Sequence, residues 1–219
     1  MNTQATLGEL NTIYPSASKV FHSYGLDYCC GGKQSLEDAC REKNLAPEKV
    51  LAEISRDESV APHHIRWETQ PLGDLIDYIL TRYHEPLREE LARLVLLASK
   101  VEQVHADKTD CPKGLQQHLV AISEAVESHL AKEEQILFPM IKAGQNGVAV
   151  HPIRVMEAEH EDHGANLRKT RDITNNFFLP AEACATWREL YRSLKQLEKD
   201  LMDHIHLENN ILFPRVVSA

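Results

Sequence analysis

HLAKEEQILFP at residues 129–139 recurs as HIHLENNILFP at residues 204–214. Each copy has a histidine followed four residues later by a glutamate, and each ends in Ile-Leu-Phe-Pro. The two pairs are His129 with Glu133, and His204 with Glu208, and both members of one pair lie 75 positions from their counterparts in the other. Side chains four residues apart project from the same face of an α-helix. The repeat therefore predicts two equivalent helices, each presenting an imidazole and a carboxylate together.

Apolar residues precede each pair at alternating steps of four and three, the spacing of a helix stripe that faces a protein core. These two stripes are Leu115, Leu119, Ile122, Val126, His129, Glu133 and Ile136, and Leu190, Leu194, Leu197, Leu201, His204, Glu208 and Ile211. Two further stripes contain a histidine: Leu80, His84, Leu87, Leu91 and Leu94, and Ile153, Met156, His160, His163 and Leu167. The four stripes predict an up-down four-helix bundle with histidines and glutamates in its interior.

Prolines set the predicted helix boundaries. The four long helices are expected at approximately residues 72–106, 114–138, 152–175 and 182–213. Pro152 is expected to open the third helix, and the Phe-Pro pairs are expected to close the second and fourth. Pro86, two residues after His84, predicts an irregularity in the first helix, either a kink that aims His84 or a tolerated break.

The remaining sequence predicts a small helical domain before the bundle. Residues 1–55 favour short helices, with Ser35 as an N-cap and Pro47 in a first turn. Residues 56–71 have no helical period and predict a linker, so that the bundle domain covers residues 72–219. The expected fold class is all-α.

Composition excludes several classes of protein. The chain has 33 acidic and 24 basic residues and a formal charge of −9, which disfavours nucleic acid and anionic membranes as partners. The longest aliphatic run, LVLLA at residues 94–98, is too short to span a bilayer, and the first residues lack a signal-peptide pattern. Five irregularly spaced cysteines do not form a secreted disulfide framework. These features predict a cytoplasmic protein.

The interior histidines and glutamates predict a metal centre. A single buried histidine is more often a hydrogen-bonded core residue than a ligand, but a dry core could not satisfy the polar groups of six such residues together. The six ligands divide evenly between two metals, each with two imidazoles and one oxygen from each of two bridging carboxylates. A solvent-derived oxo or hydroxo group would form a third bridge. The absence of a thiolate in the set and the ligand number favour iron over zinc.

With the segment LGEL…YGLDYCCGGKQSLEDAC added to the two H-x3-E-x4-F-P motifs, the chain resembles the repair-of-iron-centres family over nearly its whole length. The resemblance implies a hemerythrin-like bundle with a non-haem di-iron centre, and a part in restoring iron–sulfur clusters damaged by nitric oxide or oxidants. The ligands it implies are His84, His129, Glu133, His160, His204 and Glu208. Oxygen-carrying hemerythrins use five histidines, so the four here argue against a dedicated reversible carrier.

Other residues have two interpretations each. The vicinal Cys29 and Cys30, followed by two glycines, are candidates for thiol chemistry or metal transfer, and otherwise small buried residues. His163 is interpreted as a packing residue or one that supports a ligand, because its repeat counterpart is a leucine. Glu159 either supports a neighbouring ligand or lies on a solvated face. Three off-stripe histidines are expected at the surface or rim: His105, His118 and His206.

The function is expected to be iron–sulfur cluster repair under nitrosative or oxidative stress, through donation of iron. Reduction of nitric oxide or peroxide at the di-iron centre and sensing of O2, NO or redox state are the alternatives. The sequence does not decide whether the protein is a catalyst. The expected partners are iron–sulfur proteins with damaged clusters and a small diatomic ligand such as NO or O2, and a homodimer is left open.

Overall fold

The computed structural model describes residues 1–58 and 65–218, and within these ranges the fold is all-α, as predicted. The described residues contain no strand, only an isolated bridge between Thr6 and Ser35. Internal contacts divide the chain into two compact units: unit 1 is Met1–Leu75 with Met202–Ala219, and unit 2 is Ile76–Leu201. Among the described residues, no helix combines the length and apolar character needed to cross a membrane.

The N-terminal part of unit 1 contains four short helices: α1 (Leu7–Ile13), α2 (Ala17–Tyr24), α3 (Leu36–Glu42) and α4 (Pro47–Glu58). The predicted cap is confirmed, because the Ser35 side chain accepts a hydrogen bond from the Asp38 amide at the start of α3. A core of fully buried side chains, including Phe21, Tyr28 and Ile54, holds these helices together. Of the predicted linker, residues 56–58 are helical and residues 59–64 lie outside the described residues, so the predicted domain bounds stay a prediction.

The remaining chain forms long helices with π-helical turns in three of them. They are α5 (Leu72–Ile79), π1 (Leu80–His84) and α6 (Glu85–Val104); α7 (Leu115–Lys132), π2 (Glu133–Leu137) and α8 (Phe138–Lys142); α9 (Asn146–Ile173); and α10 (Ala185–Leu207), π3 (Glu208–Leu212) and α11 (Phe213–Val217). Within each of the three interrupted helices the segments follow one another without a break.

Each π turn ends two residues before a proline: Pro86, Pro139 or Pro214. A proline has no amide hydrogen and clashes with the carbonyl four residues earlier in an α-helix, and a wider turn relieves both problems. The predicted ends at the two Phe-Pro pairs are therefore wrong, since the helices continue through α8 and α11. The irregularity predicted at Pro86 is confirmed and takes the form of π1.

The start predicted for the third long helix is also wrong. Helix α9 begins at Asn146, and Pro152 lies inside it. One proline near the start of a 28-residue helix removes a single hydrogen bond, and the rest of the helix still buries residues such as Ala149 and Ile153.

The inward stripes are confirmed at nearly every position. Ile136 is an exception, with 48% of its surface exposed, and Leu137 is buried instead. The π turn adds a residue to the turn and so brings Leu137, four positions after Glu133, to the inward face; in the matching turn π3, Ile211 and Leu212 are both buried. Leu80, in π1, is likewise only half-buried, while Ile79 is buried.

Candidate metal centre

Glu133 is the centre of the polar cluster in unit 2. Its side chain is fully buried at the start of π2. One carboxylate oxygen, Oε1, lies 3.4 Å from His129 Nε2, and the other, Oε2, lies 3.5 Å from His84 Nε2. The two oxygens therefore face two different imidazoles, which is the arrangement that a carboxylate bridging two cations requires.

His160 completes this cluster from α9. Its Nε2 lies 3.2 Å from His129 Nε2, and ligand atoms of His129, Glu133 and His160 all lie within 4.8 Å of one another. His163, one turn further along α9, is buried and places its ring edge-on to that of His129, with 4.9 Å between the ring centroids. Its position agrees with either interpretation from the sequence, packing or support of a ligand.

Two carboxylates outside the cluster accept hydrogen bonds from the Nδ1 atoms of two of its histidines. His84 Nδ1 donates to Glu134 Oε1 at 2.9 Å, and His129 Nδ1 donates to Glu159 Oε2 at 2.9 Å. Glu159 also contacts the Lys132 ammonium. A donor role for Nδ1 leaves Nε2 as the lone-pair nitrogen of each ring, and these are the atoms that face Glu133. Glu159 was predicted from the sequence as a possible supporting residue, and Glu134 was not.

Arg88 in turn fixes Glu134. Its Nη1 donates to Glu134 Oε1 at 2.9 Å, and its Nε donates to Glu127. Although burial opposes ionisation, these hydrogen bonds from Arg88 and His84 lower the pKa of the Glu134 carboxyl. An ionised Glu134 is a strong acceptor for the His84 ring.

Unit 1 contains the second histidine–glutamate pair. His204 Nε2 lies 3.0 Å from Glu208 Oε1, and both side chains are buried. Glu208 begins π3 as Glu133 begins π2, and each backbone carbonyl accepts a bond from the amide five residues later, at Phe213 and Phe138. The sequence repeat is therefore matched by a repeat of backbone geometry.

The vicinal cysteines occupy a tight loop in unit 1. Asp27 Oδ1 accepts hydrogen bonds from the amides of Cys29 and Cys30 at 3.2 and 3.0 Å, and from Cys29 Sγ at 3.2 Å. Neither residue forms a disulfide, and 3.7 Å separates the two sulfur atoms. The hydrogen bond with Cys30, burial and the nearby Asp27 carboxylate raise the pKa of the Cys29 thiol well above its ordinary value. Cys30 is the more exposed of the two.

Two asparagines of π3 hold this loop. Asn210 Nδ2 lies 3.3 Å from the carbonyl oxygens of both Tyr28 and Cys29, and Asn209 Nδ2 lies 3.4 Å from the Cys29 carbonyl oxygen. A Cβ atom at Gly32 would come within 2.5 Å of Asn210 Oδ1, so only glycine leaves room for the amide there. The thiol loop is thus fastened to the two residues that follow Glu208. Neither asparagine was predicted from the sequence.

The three off-stripe histidines are buried, so their predicted surface or rim position is wrong. His118 Nε2 lies 3.1 Å from the Asn166 carbonyl oxygen, and His206 Nδ1 lies 3.1 Å from Asn210 Nδ2. Burial lowers the pKa of His206 to about 4, so this ring is neutral at pH 7. His105 contacts Cys184. Each ring has a hydrogen-bond partner, which is how a protein interior accommodates histidine.

The donor set within each unit fits non-haem iron. Imidazole nitrogen and carboxylate oxygen are ligands that iron accepts, and the buried carboxylates lie where a cation would offset their desolvation. No cysteine is among the residues that surround Glu133 in the described part of unit 2. The donors are unlike those of a structural zinc site, which is closed and rich in thiolate.

Comparison with known proteins covers both parts of the chain. Residues 75–216 match the model of the hemerythrin HHE cation-binding domain, and residues 3–58 match a domain of unknown function, DUF542. The chain is similar to the iron-sulfur cluster repair protein YtfE of Escherichia coli O8 (strain IAI1), with 49% identity over 213 residues, 97% of this chain and 96% of that protein. The same values apply to the protein of that name from Shigella boydii serotype 4 (strain Sb227).

Proposed function

Because the chain belongs to the hemerythrin HHE cation-binding family and, over nearly its whole length, to the iron-sulfur cluster repair proteins, we propose that it uses a non-haem di-iron centre to support the repair of damaged iron–sulfur clusters. The disposition of Glu133 carries the proposal, because its two oxygens face the Nε2 atoms of His129 and His84. A buried carboxylate placed between two imidazoles favours two cations over one.

Six residues would hold the metals: His84, His129, Glu133, His160, His204 and Glu208. Bound iron would supply one-electron chemistry and affinity for a diatomic molecule such as NO or O2. The chain's own contribution is to bury these donors and, through Glu134 and Glu159, to fix the histidine tautomers.

The thiol loop provides a route for iron as cargo. Thiolates bind iron as it is built into iron–sulfur clusters, and Cys30 is the more exposed thiol of the pair. Asn209 and Asn210, the two residues that follow Glu208, hold the loop through the Cys29 carbonyl oxygen. We therefore assign Cys29 and Cys30 to the delivery of iron to a damaged cluster, and Glu208 to the site from which iron is released.

Replacing Glu159 with glutamine should weaken iron binding. Glutamine keeps the shape of the side chain but removes the negative charge of the carboxylate that accepts a hydrogen bond from His129 Nδ1. Loss of such a contact typically lowers metal affinity about 10–100-fold. The measurement is the rate at which a chelator removes iron from the purified protein. Glu161→Gln, an exposed change of equal charge on the same helix, is the matched control. Equal rates for the two variants would show that Glu159 does not support the ligand.

The proposed function predicts direct transfer of iron. The protein is loaded with isotopically labelled iron and mixed with an iron–sulfur enzyme whose cluster has been destroyed by nitric oxide, in the presence of a chelator that captures free iron. We expect the label to enter the rebuilt cluster and enzyme activity to return, because delivery between proteins bypasses the chelator. Metal-free protein supplied with the same amount of free iron is the control.

The alternatives give different results in two further measurements. Rapid mixing of the reduced protein with nitric oxide would show gas consumed over many turnovers if the centre is a reductase, and stoichiometric binding without turnover if it is a donor. A sensor would alter its contacts with a partner on exposure to gas without passing iron to the damaged enzyme. Recovery of the label in the chelator alone would contradict the proposal.

A further inference from the structure

Cys184 lies at the start of α10, away in sequence from the six proposed ligands and from the vicinal pair. Its carbonyl oxygen accepts a hydrogen bond from the Arg188 amide at 3.0 Å, which makes it the N-cap of the helix. Cys184 therefore stands at the N-terminus of α10, ahead of the backbone amides of Thr186 and Trp187, where the helix dipole favours negative charge.

A buried imidazole supplies a hydrogen-bond partner for the sulfur. His105 follows α6 directly, keeps only 9% of its surface exposed, and places Nε2 at 3.2 Å from Cys184 Sγ. The ring packs against the Trp187 indole, with 4.9 Å between centroids, so its direction is fixed by packing. A ring aimed at a sulfur from a second helix makes this a cysteine–histidine pair.

The surroundings favour the thiolate. The hydrogen bond from His105 and those from the two backbone amides outweigh desolvation and lower the pKa of Cys184 to about 7. The nearby Arg188 guanidinium donates instead to the carbonyl oxygens of Ala181 and Ala183. Cys111 contrasts with Cys184, since burial and Glu102 raise the pKa of its thiol. Cys184 is also only half-buried, whereas Cys111 is buried.

We propose that Cys184 is a modification site, a nucleophilic thiolate that small hydroperoxides oxidise, with His105 as its positioning residue. The sulfur attacks one peroxide oxygen, a sulfur–oxygen bond forms and the oxygen–oxygen bond breaks. Sulfur loses two electrons to the peroxide and the product is a sulfenic acid; the leaving hydroxide, or the alkoxide of an organic hydroperoxide, takes up a proton to become water or an alcohol. The reaction requires neither the metal centre nor the vicinal cysteines, so it is independent of the proposed repair function.

The first test needs no substitution. The full-length protein is alkylated with iodoacetamide across a pH series, and peptide mass spectrometry follows Cys184 and Cys111 in the same sample. At pH 6, a thiol with the ordinary pKa of 9.0 has about a hundredfold less thiolate than one titrating near 7, partly offset by about eightfold greater nucleophilicity. We expect Cys184 to react about tenfold faster than such a thiol, with a midpoint near pH 7. A midpoint at or above 9.0 would overturn the proposal.

The second test separates the imidazole from the helix terminus. His105→Phe keeps a ring against Trp187 and removes the nitrogen donor, whereas His151→Phe makes the same change at an exposed position. With one equivalent of hydrogen peroxide and a sulfenic-acid trap, we expect wild type and His151→Phe to be labelled first at Cys184. In His105→Phe the alkylation midpoint should rise toward 9.0 and labelling should slow. An unchanged alkylation midpoint in His105→Phe would refute the proposal, as would equal peroxide labelling of Cys184 and Cys111 in wild type.

Discussion

Replacing both Glu133 and Glu208 with leucine is expected to give a folded, helical protein that holds no iron. Wild type should bind about two irons per chain, because its six ligands divide between two six-coordinate metals. The double change removes both carboxylates, and four neutral imidazoles cannot balance the charge of two iron ions. Either single change removes one proposed bridge and should leave a partly occupied centre.

The metal-free variant should be no less stable than metal-free wild type. Both glutamates are fully buried, and replacement of buried charged groups by apolar residues of similar volume is often neutral or stabilising by about 1–4 kcal/mol. Leucine also continues the apolar stripes on which these positions lie. Both π turns should persist, because the prolines that follow them are unchanged.

Elemental analysis and circular dichroism test this prediction together. Glu124→Leu with Glu161→Leu makes the same change in charge at two exposed positions and should keep the iron of wild type. A normal di-iron spectrum in Glu133→Leu/Glu208→Leu would mean that the bridging assignment is wrong. Loss of helical signal would mean that the two glutamates serve the scaffold.

Changing Cys29 and Cys30 to serine is expected to abolish repair without removing iron. The proposed ligands contain no thiol, so the iron content should equal that of wild type. Serine hydroxyls do not ionise near neutral pH and are poor ligands for iron, so delivery to a damaged cluster should fall to the rate of free iron alone. The labelled-iron transfer assay measures the loss directly.

Two controls show which property of the cysteines is required. Cys184→Ser removes a thiol elsewhere and should transfer iron normally. Asn210→Ala keeps both vicinal thiols but removes the amide that holds the Tyr28 and Cys29 carbonyls, and so should slow transfer if the position of the loop is needed. Full transfer by the double serine variant would return these cysteines to a structural role.

Periodicity predicts the buried stripes well, because core packing selects apolar residues at helical spacing. It does not predict the π turns, which alter that spacing by one residue. Leu137 is buried at the end of one such turn, where the stripe predicted Ile136. The prolines are visible in the sequence, but each is accommodated by a wider turn and does not end its helix.

The residues around the proposed ligands were harder to predict, because they depend on contacts between distant segments. The signal that could have found them is the difference between the two repeats. Glu133 is followed by Glu-Gln and Glu208 by Asn-Asn. Glu134 contacts His84, whereas Asn209 and Asn210 contact the thiol loop. The histidine and glutamate that both repeats share are thus the candidate ligands. The residues that differ between the repeats contact different parts of the chain.

The buried off-stripe histidines show a second limit. A stripe of apolar residues describes only one face of a helix. A residue on another face is also buried if a loop or a neighbouring helix covers it. His118 is covered beside Asn166, and His105 beside Trp187. Neither contact has a local sequence signal, since 48 residues separate the first pair along the chain.

Unit 1 combines residues that are synthesised at very different times. Tyr28 donates to Asp203, and the Cys29 carbonyl meets Asn210, 181 residues later. At ribosomal rates of about 5–20 residues per second, synthesis of these 181 residues takes roughly 9–36 s. During that interval the thiol loop lacks its clamp, and His204 and Glu208 have not yet been made. The proposed ligand set therefore requires iron loading to follow the synthesis of the last helix.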